Sequence, residues 1–382
     1  MRQLNIGVFG ARAVPSTYSG YETFLTTLLP ELAARGHRVT MYCRTGEVVT
    51  GGDYLGVRRV VLPAIPGKQF NTLSHGAVAS IRARVARHDV VLAVNVANAL
   101  FCALHRYTGR SIVLNTDGQE WLRGKWGRAG RGFFLGSARC AGRSATALVS
   151  DCEAMAAIYR DEFGADSTVI PYSVPATPAR ATAVCARLGV ERAKYFVVAA
   201  RLNPENNVDT VAEAYSRTTI DAPLLVLGAA NYHSPVEEKL KAVAAADPRV
   251  RLVGHVDDRD EFFDLLGNAA AYIHGHSVGG MNPSLVEAMH AGAMIVALDT
   301  EFNRETLGPT GTFFELATLG AQLCEIVATS SEVDAARRAA AQHRAAERFN
   351  VDDVVSAYEA LLRAAALAPA RRTLSIPTRW AK

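Results

Sequence analysis

The sequence predicts two α/β domains, each a doubly wound Rossmann-like parallel sheet, facing each other across a cleft. Three observations carry this. The chain has 382 residues, more than one hydrophobic core normally serves. Short apolar runs alternate with amphipathic stretches at the spacing of βαβ units, whose parallel strands send their loops to one edge of the sheet. The alternation stops in a Pro- and Ala-rich stretch, residues 172–190, which reads as a linker, and then begins again. The expected divisions are 1–176, an acceptor-side domain, 177–350, a ligand-binding domain, and 351–382, a C-terminal helix and tail placed to pack back on the first domain.

In the first half, strands are expected at Asn5 to Phe9, Arg38 to Cys43, Val57 to Leu62, Asp89 to Val94, Ser111 to Asn115 and Thr146 to Ser150. An amphipathic helix runs from Thr23 to Arg35, where Gly36 stops it. Another helix begins at Ser150-Asp151 and reaches Phe163, and Val169 to Tyr172 closes the half. The second half has strands at Tyr195 to Ala200, Leu224 to Leu227, Val250 to Val253, Ala270 to Ile273 and Met294 to Leu298. Helices at Val208 to Ser216, Pro235 to Ala246 and Glu261 to Leu266 separate them. A nicotinamide enzyme is disfavoured, because the first loop lacks GxGxxG and no acid ends the second strand, where MYCR stands.

With 49% hydrophobic and 20% charged residues, both cores have enough material. Six cysteines (Cys43, Cys102, Cys140, Cys152, Cys185, Cys324) form no CxxC pair and read as reduced, buried small hydrophobes. The N-terminal apolar run is too short for a signal peptide, and the longest apolar stretch, Val90 to Leu104, is broken by Asn95 and Asn98. A cytoplasmic protein is expected. Residues 1–176 carry 20 Lys plus Arg against 12 Asp plus Glu, an excess of eight positive charges, whereas the remainder has 21 against 25. A basic first half calls for an anionic partner.

The most informative stretch is HGHSVGGMNPSLVEAMHAG, His274 to Gly292. Asn282 is placed to cap a helix that has Pro283 in its first turn. Gly279 and Gly280 leave main-chain amides bare beside that helix N-terminus, which favours an anion. Glu287, about one turn in, points back toward the same loop. A phosphate can meet amides there while sugar hydroxyls meet a carboxylate; a glycine turn before a core helix is the competing reading.

Other candidate positions fall at strand ends. Gly20 and Glu22, in Ser19-Gly20-Tyr21-Glu22, put bare backbone and an acid at the start of the first helix, although both also suit an ordinary turn and helix dipole. Asp117, just past a strand, can accept from an acceptor hydroxyl or act as base, or can serve only an Asp-Gly turn. Arg201, leaving the first strand of the second half, can clamp a diphosphate or pair with Glu205. Asp258-Arg259-Asp260 looks like a metal-binding DxD, but its place before a helix makes its acids caps and dipole partners. His274 and His276 lack a third ligand in reach, so no metal is predicted. The run from Trp121 to Arg143 interleaves Arg123, Lys125, Arg128, Arg131, Arg139 and Arg143 with Trp126, Phe133 and Phe134. It fits peripheral contact with an anionic membrane at its inner face, with a solvated helix face or a nucleic-acid patch as alternatives.

Taken together, GARAVPSTYSGYETF, ELAARGHRVTMYCR, NTDGQEWLRGKWGR, VIPYS, ARLNPENN, AYIHGHSVGGMNPSLVEAMHAG and FNRETLG resemble, in that order, the retaining family 4 glycosyltransferases of GT-B architecture, in their bacterial rhamnosyltransferase-like branch. The resemblance implies a hexose transfer, L-rhamnose from dTDP-rhamnose, onto a saccharide acceptor, lipid-diphosphate-linked, in cell-surface polysaccharide synthesis. No cofactor, no metal and no nucleic-acid partner are expected. By resemblance Glu287 binds the donor ribose, Arg201 holds the diphosphate, Gly20 lets the phosphates approach, and Gly279, Gly280, Met281 and Asn282 hold sugar and diphosphate through backbone amides. Asp117, with Glu22, belongs to the acceptor side.

Two places depart from the family pattern. Asn206 stands where many relatives carry a phosphate-binding lysine, and Gly279 stands where they carry the first of two glutamates, eight residues before Glu287. Both departures concern the donor. A sugar-nucleotide epimerase of the same architecture and a non-catalytic nucleotide-sugar-binding protein are the alternative functions.

Overall fold

The computed structural model describes residues 2–16, 20–47, 52–65, 67, 70–124, 126–230, 234–328, 331–368 and 373–381; Ser19 and Lys125, singled out above, lie outside them. The chain forms two compact units. One comprises Met1–Pro175, Gly279–Pro283 and Asn350–Lys382, and the other Ala176–Val278 and Ser284–Phe349.

The first unit runs β1 (Asn5–Phe9), α1 (Gly20–Ala34), β2 (Arg38–Arg44), β3 (Gly52–Tyr54), β4 (Val57–Leu62), α2 (Phe70–Val85), β5 (Val90–Val94), α3 (Ala99–Tyr107), β6 (Ile112–Asn115), α4 (Arg128–Ser144), β7 (Ala147–Ser150), α5 (Glu153–Phe163) and β8 (Thr168–Val169). Its strands form one sheet ordered β3-β4-β2-β1-β5-β6-β7-β8. Every pairing is parallel except β3 with β4. That hairpin turns through Leu55 and Gly56, both at positive φ, the backbone twist a two-residue turn between antiparallel strands requires. Gly52-Asp53-Tyr54 has no apolar alternation, so the sequence did not announce β3. Each residue of β5, β6 and β7 is buried. Strands covered by helices on both faces read as unbroken apolar runs, and these did.

The second unit runs α6 (Ala183–Arg187), β9 (Phe196–Ala199), α7 (Val208–Ser216), β10 (Leu224–Leu227), α8 (Pro235–Ala246), β11 (Val250–Gly254), α9 (Arg259–Asn268), β12 (Ala271–His274), α10 (Pro283–Ala291), β13 (Ile295–Leu298), α11 (Glu301–Leu307), β14 (Thr312–Phe314), α12 (Leu319–Ala328) and α13 (Ser331–Arg348). Its sheet is ordered β11-β10-β9-β12-β13-β14 and is parallel throughout. Val198, Val226, Ile273 and Val296 from four adjacent strands meet Val211, Tyr215 and Leu240 in one core. In both sheets the chain starts at a central strand, winds to one edge, and returns to pair a later strand on the other side. The reversal lies between β1 and β5 in one sheet and between β9 and β12 in the other, and open α/β sheets hold ligands outside the strand ends at such a point.

Residues 172–190 are not a loose linker. They contain α6, and Asp264 on α9 accepts from the Arg180 and Ala181 amides at 2.7 and 3.1 Å, while Asn268 donates to the Ala181 carbonyl at 2.8 Å. Backbone groups that composition leaves unassigned thus find partners on a helix far along the chain. Helix α14 (Val351–Leu367) belongs to the first unit. Asn350 caps it by accepting from Asp352 and Asp353, and it buries Val354, Tyr358, Leu361 and Leu362. Among the cysteines, Cys140 and Cys324 are exposed, against expectation, and the other four are buried; all six are free thiols. Among the described residues no helix is long and apolar enough to cross a membrane.

Candidate active site

In the second unit the loops after β9 and β12 are sewn together. Arg201 follows Ala200 at the end of β9, and its carbonyl accepts from the Asn203 amide and from the Asn206 side chain, each at 2.7 Å. Asn207 stands at φ +52 and donates to the Gly275 carbonyl at 2.8 Å. The Glu205 carbonyl accepts from the Ser277 amide at 2.9 Å and from its hydroxyl at 3.0 Å. Asn303 on α11 reaches the His276 carbonyl at 3.3 Å. A β-carbon on Gly275 would lie 2.6 Å from the Asn206 carbonyl, so the seam needs that glycine. The backbone carrying Arg201 is therefore fixed at the switch point of the sheet.

Asn206 occupies the place of the family lysine, and it behaves differently. It is buried, and its amide nitrogen is spent on Arg201. It shapes the loop instead of adding a charge. His274, at the end of β12, stacks on His276 with ring centroids 4.7 Å apart and planes 11° apart, while its Nδ1 lies 2.8 Å from the Tyr272 hydroxyl. Burial pushes the His274 imidazole down to about 3, so it stays neutral at physiological pH.

Glu287 lies on α10, one turn past Pro283, as spacing predicted. Its carboxylate accepts from Arg259 Nη2, a residue not singled out for this role. The Glu287 side chain is 7% exposed and that of Arg259 is 41% exposed. The arginine thus connects a buried carboxylate to solvent. Burial raises the Glu287 pKa and Arg259 opposes the rise. Phe262 and Phe263 flank the guanidinium, with ring centroids 4.8 and 4.9 Å from its carbon. The acids of the Asp-Arg-Asp triplet act as expected: Asp258 caps α9 by accepting from the Asp260 and Glu261 amides. The arginine between them is the residue that reaches Glu287.

In the first unit, Glu22 is fully buried at the start of α1, which begins three residues before Thr23. One oxygen accepts from the Arg12 amide at 2.9 Å and the other from the Ser16 hydroxyl at 2.7 Å. Burial raises its pKa against these bonds. Glu22, expected on the acceptor side, thus fastens the β1–α1 loop with both carboxylate oxygens. Gly20 is tightly packed, since a β-carbon there would stand 2.7 Å from Cδ of Pro283. A β-carbon on Gly280 would stand 2.2 Å from an Asp151 carboxylate oxygen, and one on Gly118 would stand 2.9 Å from Gly279 Cα. Within this unit, then, Gly20, Asp117's neighbour Gly118, and Gly279, Gly280, Met281 and Asn282 are gathered together, with Met281 buried.

Asp117 follows β6 at φ +56, and Asn95 follows β5 at φ +70. Both are non-glycine residues in the left-handed region, a conformation that persists where surroundings impose it. Asn95 Nδ2 donates to Asp117 Oδ2 at 3.1 Å, and the Asp117 amide donates to Asn115 Oδ1 at 2.9 Å. Asn115 in turn donates to the Tyr358 hydroxyl of α14 at 2.7 Å and accepts from the Tyr172 hydroxyl at 3.2 Å. Asn95 had a signal in the sequence, as a polar break in an apolar run; Tyr358 had none. Among the described residues no group of three or more His, Cys, Asp or Glu is arranged to hold a metal ion.

Residues 19–173 match the family described as Glycosyl transferase 4-like domain, and residues 186–316 match Glycosyl transferases group 1. No curated protein matches the chain. Among solved structures, a sucrose-phosphate synthase from Thermosynechococcus elongatus is 17% identical over 95% of this chain and 99% of its own, with a TM-score of 0.81. Anabaena Alr3699/HepE, solved in complex with UDP-glucose, is 15% identical over 95% and 100%, with a TM-score of 0.76. WaaG, a glycosyltransferase involved in lipopolysaccharide biosynthesis, is 14% identical over 94% and 99%, with a TM-score of 0.72. At these identities the likeness is one of fold.

Proposed function

We propose that this chain, which belongs to the glycosyltransferases and has the GT-B fold, moves L-rhamnose from dTDP-rhamnose onto a saccharide acceptor carried on a lipid diphosphate, with retained anomeric configuration. The observation that supports the reading most is the seam between the β9 and β12 loops. It fixes the backbone of Arg201, a cation suited to a leaving diphosphate, at the switch point of a parallel sheet.

In this reaction the bond from the anomeric carbon to the diphosphate breaks, and positive charge grows on the sugar. Stabilising the leaving group is the main catalytic task. Arg201 and the positive N-terminus of α10 supply that charge without a metal. Glu287, hydrogen-bonded by Arg259, takes the donor ribose hydroxyls. Asp117, fixed by Asn95 and Asn115, orients the acceptor hydroxyl, whose proton leaves on a phosphate oxygen. Asn206 in place of a lysine lowers the positive charge offered to the phosphates, and Gly279 in place of a glutamate leaves the sugar fewer carboxylate contacts.

HepE's complex with UDP-glucose makes that nucleotide sugar the donor to test beside dTDP-rhamnose. The deciding experiment incubates purified protein with each donor and a short lipid-diphosphate saccharide. Glycosylated lipid supports transfer, an altered nucleotide sugar would mean epimerisation, and an unchanged donor that nevertheless binds would mean a non-catalytic binding protein.

A further inference from the structure

The second strand of the first unit ends on a buried cation. Arg44, the last residue of β2, is only 4% exposed, and its guanidinium reaches the first turn of α2. Nη1 donates to Asn71 Oδ1 at 3.0 Å and Nη2 lies 3.5 Å from Thr72 Oγ1, both uncharged partners, while Nε has no hydrogen-bond partner. The acids whose charge Arg44 feels, Glu22 and Glu47, are bonded elsewhere. Glu22 accepts from the Arg12 amide and the Ser16 hydroxyl, and Glu47 pairs with the Arg12 side chain at 3.1 Å.

A positive charge is unfavourable here on two counts. A buried ion gives up its hydration and needs a counter-ion in return. The N-terminus of a helix is also the positive end of its dipole, and α2, 16 residues long, has no acid in its first turn. One turn further along α2, His75 is fully buried with neither ring nitrogen hydrogen-bonded. Burial and the Arg44 charge push its imidazole down to about 4, and a neutral ring still has one N–H to donate. Asn71 and Thr72 are half-buried, so the cluster borders the surface. A guanidinium, a helix N-terminus and an N–H donor gathered at one strand end are together complementary to an anion.

Its place in the sheet says which anion. β2 pairs with β1 at the switch point, and three strand spacings separate β2 from β6, which Asp117 follows. At about 4.8 Å per spacing the separation is on the order of 14 Å. We propose that Arg44, His75 and the first turn of α2 bind the sugar-proximal phosphate of the acceptor's diphosphate, while the reacting hydroxyl lies at Asp117. A single pyranose does not bridge that distance, so the acceptor carries at least two sugars between its diphosphate and the hydroxyl that is glycosylated. This rests on the acceptor and the role of Asp117 proposed above.

The test measures binding and involves no turnover, so the inference and the transfer reaction can fail separately. The full chain is titrated by calorimetry in saturating dTDP, which occupies the donor's diphosphate site. The probes are inorganic pyrophosphate, a short lipid-diphosphate disaccharide, and the methyl glycoside of the same disaccharide. The diphosphate disaccharide is expected to bind tighter than either of the others. Arg44→Gln should weaken it and pyrophosphate at least about tenfold, Arg44→Lys should recover part of the loss, and the methyl glycoside should bind all three proteins alike. With dTDP alone, Arg44→Gln should keep or raise the Tm, because it removes a buried cation, and added pyrophosphate should raise the Tm of the wild type only. Unchanged binding by Arg44→Gln, or a lower Tm of that variant with dTDP alone, would overturn the inference. So would equal affinity for pyrophosphate and the diphosphate disaccharide, which would assign the site to a free anion.

Discussion

Arg259 donates a hydrogen bond to Glu287 from the first residue of α9 to the middle of α10, 28 positions along the chain. A buried carboxylate left alone would take up a proton, and the guanidinium is what opposes that. Removing it therefore changes the pH at which Glu287 is ionised. Arg259→Ala should lower kcat/KM by about tenfold or more, on the order of 1.4 kcal/mol, and move the acidic limb of the pH–rate profile to higher pH. Arg259→Lys should restore part of both. A uniform loss at all pH values would mean that Arg259 contributes packing alone.

Arg201 and Glu287 are assigned separate tasks, and their variants should separate accordingly. Arg201→Ala removes charge from the leaving group and should cut kcat by about a hundredfold or more. Glu287→Ala removes contacts to the donor ribose and should cut turnover at least about tenfold. Donor titrations by isothermal calorimetry, run beside steady-state kinetics, check whether binding or turnover takes the loss.

Asp117 and Asn95 form a strained pair, each at positive φ and joined at 3.1 Å. If Asp117 orients the acceptor, Asp117→Asn should raise the acceptor KM and leave donor binding unchanged. Tyr358→Phe should weaken the same function by a smaller factor, since it acts through Asn115. A rise in donor KM in either variant would count against an acceptor role.

Glu359 on α14 is tied to His37 at 3.1 Å, Arg35 at 3.2 Å and Arg363 at 2.7 Å. Burial pushes its carboxyl up, but hydrogen bonds from Arg363, His37 and Arg35 outweigh burial and hold it at about 2, below its ordinary 4.5. A carboxyl depressed in the folded state stabilises fully above its unfolded value, and the contribution fades as pH falls. Between pH 4.5 and 2 the anchoring of α14 should therefore weaken. Hydrogen exchange along residues 351–367 should rise over that window in the wild type, while Glu359→Gln should exchange faster already at neutral pH with a flatter acid response.

The fold was legible because its strands are buried on both faces and its loops break sharply. Val90 to Val94 and Leu224 to Leu227 could hardly be read otherwise. What was missed has a common physical cause. β3 is short and polar, the fastening of residues 172–190 depends on Asp264 and Asn268 far along the chain, and Arg259 became informative only once α9 was seen beside α10. Spacing put Glu287 one turn into a helix, where it lies, but it could not say that Glu22 spends both oxygens on its own loop.

The central claim is transfer of a sugar from a nucleoside diphosphate onto a lipid-linked saccharide with retained configuration, and product analysis by nuclear magnetic resonance tests it most directly. With dTDP-rhamnose and a lipid-diphosphate saccharide, the account predicts a new glycosidic linkage with the anomeric configuration of the donor, formed equally well in the presence of a metal chelator. An inverted linkage, or a donor that is only hydrolysed or isomerised while the lipid stays unmodified, would contradict it.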